Sequence, residues 1–188
     1  MKKVLVFGMT DNPGGMESVI MNYYRHIDRS VLQFEFLCNT EKVAYEDEIR
    51  KLGGVIHNIC ARSKNLKQYK HDMKDFFENN ADKYCALWFN TCSLSNIDYL
   101  LYAKKYHIHK RIIHCHNAAN GGDSFLRNLL HKYHQRKVFK YATDFWTCNQ
   151  DSDLWFFGKA SEELPNYRVI YNAIDLDKPA SYTLYEDE

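Results

Sequence analysis

Apolar residues in the 188-residue chain fall into short runs separated by stretches where they recur every three to four positions. Strands buried on both faces produce the first pattern, and helices with one covered face produce the second. Lys3–Gly8 (KVLVFG), Phe34–Cys38, Val55–Ile59, Tyr84–Phe89 (YCALWF), Arg111–Cys115, Asp144–Cys148 and Arg168–Tyr171 read as strands. Between them, Met16, Val19, Ile20, Tyr23, Tyr24 and Ile27 mark an amphipathic helix. A polar helix over about Glu46–Leu52 stops at Gly53-Gly54. Leu66, Tyr69, Met73, Phe76 and Phe77 mark the next helix, and Leu94, Ile97 and Leu101 the one after it. Ser124 is placed to cap a long helix bearing Leu126, Leu129, Leu130 and Tyr133, and a short helix ends near Gly158.

This alternation predicts an α/β fold: a Rossmann-like, mostly parallel sheet with right-handed crossovers and helices on both faces. Ligands of such sheets gather outside the carboxyl ends of the strands. That rule selects Met9–Gly15, Asn90–Ser93, His116–Asp123 and Asn149–Ser152, all polar or glycine-bearing. The length suits one domain with a proper core, and no apolar run approaches the ~20 residues that cross a bilayer. A formal net charge of +1 gives no global reason to expect nucleic acid as a partner. The six cysteines are scattered without a C-x-x-C pair, and no signal peptide is evident, so reduced, largely buried thiols in a cytoplasm are expected.

The Gly14-Gly15 pair stands just before the first helix. Two readings weigh equally there: a backbone that a ligand approaches closely at a helix N-terminus, or a tight turn whose glycines only supply positive φ. The stretch lacks the glycines of a dinucleotide fingerprint and the Gly-Lys-Ser/Thr ending of a P-loop. Glu17 reads as a favourable charge at the helix start. Histidines cluster at 107, 109, 114 and 116, but no third ligand has the spacing of a zinc site, so no metal is expected. His116 falls at the carboxyl end of its strand, whereas His114 lies deeper and reads as a hydrogen-bonded core residue. His131 and His134 share a helix with Lys132, Arg136, Lys137 and Lys140; a solvated face is the first expectation, and a basic patch meeting anionic lipid or a phosphate-bearing acceptor the second. Asp11, Asp123 and Asp151 read equally well as loop or cap residues.

Four segments together resemble a known family: "GGMESVIMNYYRHID" at 14–28, "RIIHCHNA" at 111–118, "YATDFWTCNQDSDLWFFGK" at 141–159 and "VIYNAIDLDK" at 169–178. They resemble the amino-terminal half of a retaining glycosyltransferase of the GT-B fold, family GT4, of the bacterial capsule or exopolysaccharide type. Such enzymes have two Rossmann-like halves across a cleft, the first holding mainly the acceptor and the second the nucleotide-sugar donor. The resemblance implies that Gly14 and Gly15 let the loop approach the donor's diphosphate and sugar. It matches His116, the expected catalytic position, to the second histidine of an H-x-H-N pattern reaching toward the donor sugar, with Asn117 shaping that loop. Asn172 matches an N-[GA]-[IV]-D segment near the cleft. No cofactor and no metal are implied, because in retaining members the leaving phosphate assists the incoming hydroxyl and the protein supplies orientation and charge stabilisation.

The resemblance covers residues 1–178, and the acidic stretch at 179–188 departs from it, with no donor-binding half following. The expectation is therefore an acceptor-side half that is inactive alone. A non-enzymatic accessory subunit, recruiting an acceptor for a separate donor-domain chain, is the alternative. Implied partners are a nucleotide-sugar, a polysaccharide or lipid-linked glycan acceptor, a separate donor-domain chain and a peripheral membrane surface, with the protein in the cytoplasm at the inner face of the plasma membrane. A nucleotide-binding dehydrogenase is disfavoured by the missing G-x-G-x-x-G, and a methyltransferase by the weak Asn39-Thr40-Glu41 loop.

Overall fold

The computed structural model describes residues 1–117, 124–149 and 152–172, which build one seven-stranded sheet. Asp123, Asp151, the Ala173–Asp175 stretch, the boundary at 178 and the segment 179–188 lie outside the described residues. Strands and helices alternate along the chain: β1 (Lys2–Phe7), α1 (Gly15–His26), β2 (Leu32–Cys38), α2 (Glu46–Lys51), β3 (Val55–Asn58), α3 (Leu66–Asn80) and β4 (Ala86–Thr91). Then follow α4 (Asp98–Lys105), β5 (Lys110–Cys115), α5 (Phe125–Gln135), β6 (Asp144–Thr147), α6 (Ser152–Phe157) and β7 (Tyr167–Val169). The order across the sheet is β3-β2-β1-β4-β5-β6-β7, and all six pairings are parallel.

That order places the helices. The chain first steps from β1 to β3 in one direction, then returns past β1 to β4 and continues the other way. Right-handed crossovers put helices from the two directions on opposite faces. Accordingly Ile20, Met21 and Tyr24 of α1 and Ile49 of α2 share a core with Val4, Val6, Phe34, Phe36 and Trp88. Tyr69, Met73 and Phe77 of α3, Leu100 of α4 and Phe156 of α6 share the other core with Leu5, Leu87, Phe89, Ile113 and Phe145. The apolar runs are strands because alternate residues of each serve different cores.

The two faces are unequally covered. Parallel sheets ordinarily bury both faces, yet among the described residues no helix of the α1 side extends over β5, β6 and β7. An apolar groove of about 260 Å³ runs from the edge of α1 across this face, lined by Tyr23, Ile27, Phe34, Trp88, Ile112 and Trp146 among others.

A carboxylate is among the polar groups buried within the α3-side layer. Glu35 of β2 is 5% exposed, and its carboxylate accepts from Lys3 Nζ at 2.6 Å, His57 Nε2 at 2.9 Å and Tyr84 Oη at 2.7 Å. Burial pushes its pKa up, but the hydrogen bonds from Lys3, His57 and Tyr84 and the Lys3 charge outweigh burial and hold it at about 2. A carboxylate whose folded pKa lies below the ordinary 4.5 stabilises the fold above that value and loses its contribution as pH falls toward 2. Replacing Glu35 by Ala should cost about 2 kcal/mol near neutral pH, because three donors lose a shared acceptor. Urea midpoints at pH 7 and pH 3 check this: the gap between wild type and Glu35→Ala narrows at pH 3, and an unchanged gap contradicts the assignment.

Candidate functional site

Strand order reverses between β1 and β4, so the connections leaving these two strands diverge and open a crevice at the carboxyl rim. Asn90, near the end of β4, is fully buried there. Its Nδ2 donates to Phe7 O at 3.1 Å and Trp88 O at 3.3 Å, and its Oδ1 lies 2.9 Å from His116 Nε2. Since Oδ1 only accepts, Nε2 carries the imidazole proton and Nδ1 is left as an acceptor. Burial lowers the His116 pKa to about 4, so the ring is neutral at physiological pH. It therefore serves as a neutral hydrogen-bonding group there, not as a cation.

Gly8 completes this corner. Its φ is +135°, and an added Cβ would lie 2.6 Å from Asn90 Cβ and 3.0 Å from Ile20 Cδ1. Only glycine fits, for both conformational and steric reasons.

Gly14 and Gly15 differ from Gly8. Gly14 has φ −79° and ψ −171°, ordinary extended backbone, and the positive-φ glycines among the described residues are Gly8, Gly53 and Gly158. The reading of Gly14-Gly15 as a positive-φ turn is thus corrected. Among the described residues, a Cβ on Gly15 would meet nothing within 4 Å, and one on Gly14 would lie 3.0 Å from the movable Glu17 Oε2 and 4.0 Å from Asn12 O. The described part of the fold supplies no reason for glycine at position 15. Gly14 is the N-cap of the 12-residue α1 and offers no capping side chain; the Gly14 carbonyl accepts the first intrahelical bond, from Ser18 N–H at 3.0 Å. Glu17, 5% exposed, occupies this helix entrance and accepts from Thr10 Oγ1 at 2.6 Å. Its carboxylate already meets the positive end of the helix, so a second anion arriving there encounters like charge, whereas a hydroxyl finds an acceptor.

Other expected residues distribute around the same rim. The backbone oxygen of Asn117 accepts from Cys115 Sγ at 3.2 Å. Asn172 is exposed just beyond β7, two strands from β5. A polar pocket of about 180 Å³ opens between the ends of β1 and β4, lined by Asn39, Thr91, Ser95, Asn96, Tyr99 and Arg127 among others, chemistry suited to hydroxyl-rich ligands. The apolar groove on the sheet face is not part of this rim. Asn90 was selected from sequence only as the start of the 90–93 segment, with no role of its own, and Gly8 only as the end of a strand; the signal for Asn90 was a lone Asn closing the apolar run YCALWF.

Three expectations need correction. His114 is fully buried between Trp88 and Trp146, at ring-centroid distances of 5.9 and 5.8 Å, but neither ring nitrogen has a hydrogen-bond partner among the described residues. Among them it is a buried aromatic residue without the hydrogen bond expected of it. Burial, reinforced by the neighbouring His116 ring, drives its pKa down to about 2. No disulfide joins the six cysteines, and of them only Cys38 and Cys115 are buried. His131 and His134 face inward rather than toward solvent: His131 Nδ1 accepts from Leu94 N–H at 3.1 Å and His134 Nδ1 lies 2.6 Å from Leu94 O. No cluster of three or more metal-ligating side chains occurs among the described residues.

Comparison with known proteins adds a family context. No family model matches the chain. The chain is 27% identical over 179 residues to the "Putative glycosyltransferase EpsF" of Bacillus subtilis (strain 168), covering 94% of this chain and 46% of that protein. It thus spans about half the length of the curated relative. Its fold resembles MurG of Acinetobacter baumannii, with a TM-score of 0.60 at 15% identity over 95% of this chain and 48% of that one. The lipopolysaccharide outer core galactosyltransferase WaaB, in its apo form, gives a TM-score of 0.60 at 17% identity, over 93% of this chain and 46% of that one. These neighbours are glycosyltransferases of the GT-B fold, and the chain shares a Rossmann-like sheet with about half of each.

Two measurements probe the site's architecture. Gly8→Ala should lose more than about 2 kcal/mol in urea unfolding, whereas Gly15→Ala should stay within about 0.5 kcal/mol of wild type; equal losses would erase the distinction drawn between them. His114 is neutral when folded, while the unfolded chain takes up its proton below about 6.5, so this residue makes stability fall as pH drops from 6.5. His114→Leu should therefore flatten the stability profile between pH 6.5 and 4 and gain about 1 kcal/mol; a profile as steep as wild type contradicts this.

Proposed function

We propose that this chain forms the acceptor-side wall of a retaining GT4-type glycosyltransferase cleft, acting on a polysaccharide or lipid-linked glycan at the cytoplasmic face of the plasma membrane. The carrying observation is Gly15: a glycine with ordinary backbone and, among the described residues, empty space where a side chain would stand, on the rim that His116 and Asn90 also occupy. Space kept free of a side chain, where the fold does not need it free, fits the close approach of a ligand to the backbone. Similarity to EpsF over 94% of the chain supports the same reading.

In this proposal, neutral His116 presents its Nδ1 acceptor to a sugar hydroxyl, and Gly14, Gly15 and Glu17 form the adjoining floor. The Glu17 carboxylate directs that floor toward hydroxyls, so the donor's diphosphate is held mainly by the other half. Asn117 and Asn172 border the cleft. The reaction assigned to the assembled enzyme uses a nucleotide-sugar and no metal, the chain's part being orientation and hydrogen bonding. The apolar groove left open among the described residues, between α1 and the sheet from β2 to β6, supports a place within a larger body, whether a single longer chain or a separate donor-domain chain.

The test joins the 188-residue chain to the carboxyl-terminal half of a full-length relative such as EpsF and measures label transfer from a nucleotide-sugar panel to membrane extract. The isolated chain should show no transfer and the assembly should. Gly15→Ala should lower kcat/KM of the assembly at least about ten-fold without loss of stability, since each factor of ten is ~1.4 kcal/mol of lost transition-state interaction. Transfer by the isolated chain at ordinary rates would overturn the division of labour. Full activity of Gly15→Ala would favour the accessory-subunit alternative, in which the rim only recruits acceptor.

A further inference from the structure

A second polar recess opens beside the crevice, where β2 and β3 end. It measures about 580 Å³, within the size range of small-ligand sites and roughly three times the crevice pocket of about 180 Å³. The last pairing of these strands, Cys38 with Asn58, sets Asn39 and Asn58 at neighbouring strand ends in its wall. Glu41 and Lys64 form its outer border, joined by an ion pair of 2.6 Å. Ile59 and Ala61 add apolar surface.

The recess continues the rim already described. Asn39 lines both it and the crevice pocket, and its Nδ2 donates at 3.4 Å to Oη of Tyr99, which lines the latter. The Ala44 N–H donates to Thr10 O at 2.7 Å, fastening the connection after β2 to the loop that leads to Gly14 and Gly15. Cys60 N–H donates to Asp72 Oδ2 at 2.8 Å and anchors the opposite wall to α3. Both walls are thus fixed by the fold itself. Thr40, another lining residue, holds a buried Oγ1 with no hydrogen-bond partner among the described residues, an unmade bond at the wall.

We propose that this recess holds a second sugar unit of the acceptor, so that the substrate is an oligosaccharide laid along the rim from β1 and β4 toward β3. The inference deepens the glycosyltransferase reading and rests on it. Amide, carboxylate and ammonium groups together supply both donors and acceptors, as vicinal hydroxyls require. The Glu41 and Lys64 charges cancel, so the border carries no net preference for an ion. A nucleotide diphosphate would set its charge against the Glu41 carboxylate, which disfavours the donor as occupant. The apolar strip of Ile59 and Ala61 suits the C–H face of a pyranose. A one-sugar acceptor would leave the recess empty, whereas a longer one gains contacts there. Earlier glycosyl-transfer steps must then build the acceptor before this one extends it.

Two experiments test the subsite, the first without any assay of transfer. Proton–nitrogen NMR follows the 188-residue chain during titration with glucose, maltose and maltotriose, and with N-acetylglucosamine, chitobiose and chitotriose. In at least one series the trisaccharide should bind at least about ten-fold more tightly than its monosaccharide and shift the Asn39 and Asn58 side-chain amides. Asn58→Ala, at an exposed strand end, and Ala61→Phe, which fills the recess, should each remove that gain. No binding in either series, affinity independent of chain length, or a gain that survives both substitutions overturns the proposal. In the assembly with the EpsF half, the same substitutions should raise the acceptor KM at least about ten-fold and leave the nucleotide-sugar KM as it was. Transfer with an unaltered acceptor KM would remove the subsite and leave the glycosyltransferase reading standing. Length-dependent binding by the chain, in an assembly that transfers nothing, would instead remove the reaction and keep the oligosaccharide site.

Discussion

Asn90 is an amide with no access to water at the one place where the strand order reverses, and its bonds determine the rest of the rim. Leaving any of its polar atoms without a partner would cost about 1–3 kcal/mol. Two donors go to the Phe7 and Trp88 carbonyls, which tie the ends of β1 and β4 together. The remaining acceptor then selects one protonated nitrogen of His116. Closeness to Asn90 in turn excludes a side chain at Gly8. Backbone direction, side-chain tautomer and glycine placement at this corner therefore follow from a single buried group.

The remainder of the molecule divides into parts that serve the core and parts that face away from it. Gly8 belongs to the first kind and Gly15 to the second, although they stand at the two ends of the same β1–α1 connection. The histidines of α5 belong to the first kind and its leucines to the second, the reverse of what hydropathy suggests. Such reversals concentrate along the connections that leave β1 and β5, at the carboxyl rim.

Most of the fold was legible because each strand serves two cores and so appears as an unbroken apolar run. KVLVFG and YCALWF are clear examples, and their observed bounds differ by two residues or fewer. Parallel order followed from the alternation with helices. Direction was harder to read. The spacing of Leu126, Leu129 and Tyr133 reveals an apolar stripe but not which way it points; that depends on Leu94, whose backbone needs His131 and His134 and is more than thirty positions away. His114 illustrates the same limit, since its surroundings of Trp88 and Trp146 arise only when β4, β5 and β6 align. At the candidate site, position along the strands selected the carboxyl rim and the resemblance selected His116. The pairing of His116 with Asn90, and the contrast between Gly8 and Gly15, required coordinates because they depend on ångström-scale approach.

Nitrogen-15 NMR of the imidazole side chains tests the central constraint most directly, because tautomer and titration report on Asn90 and burial together. The account predicts that His116 carries its proton on Nε2 and remains neutral as pH is lowered past 5. A proton on Nδ1, or a titration at the ordinary value near 6.5, would contradict it.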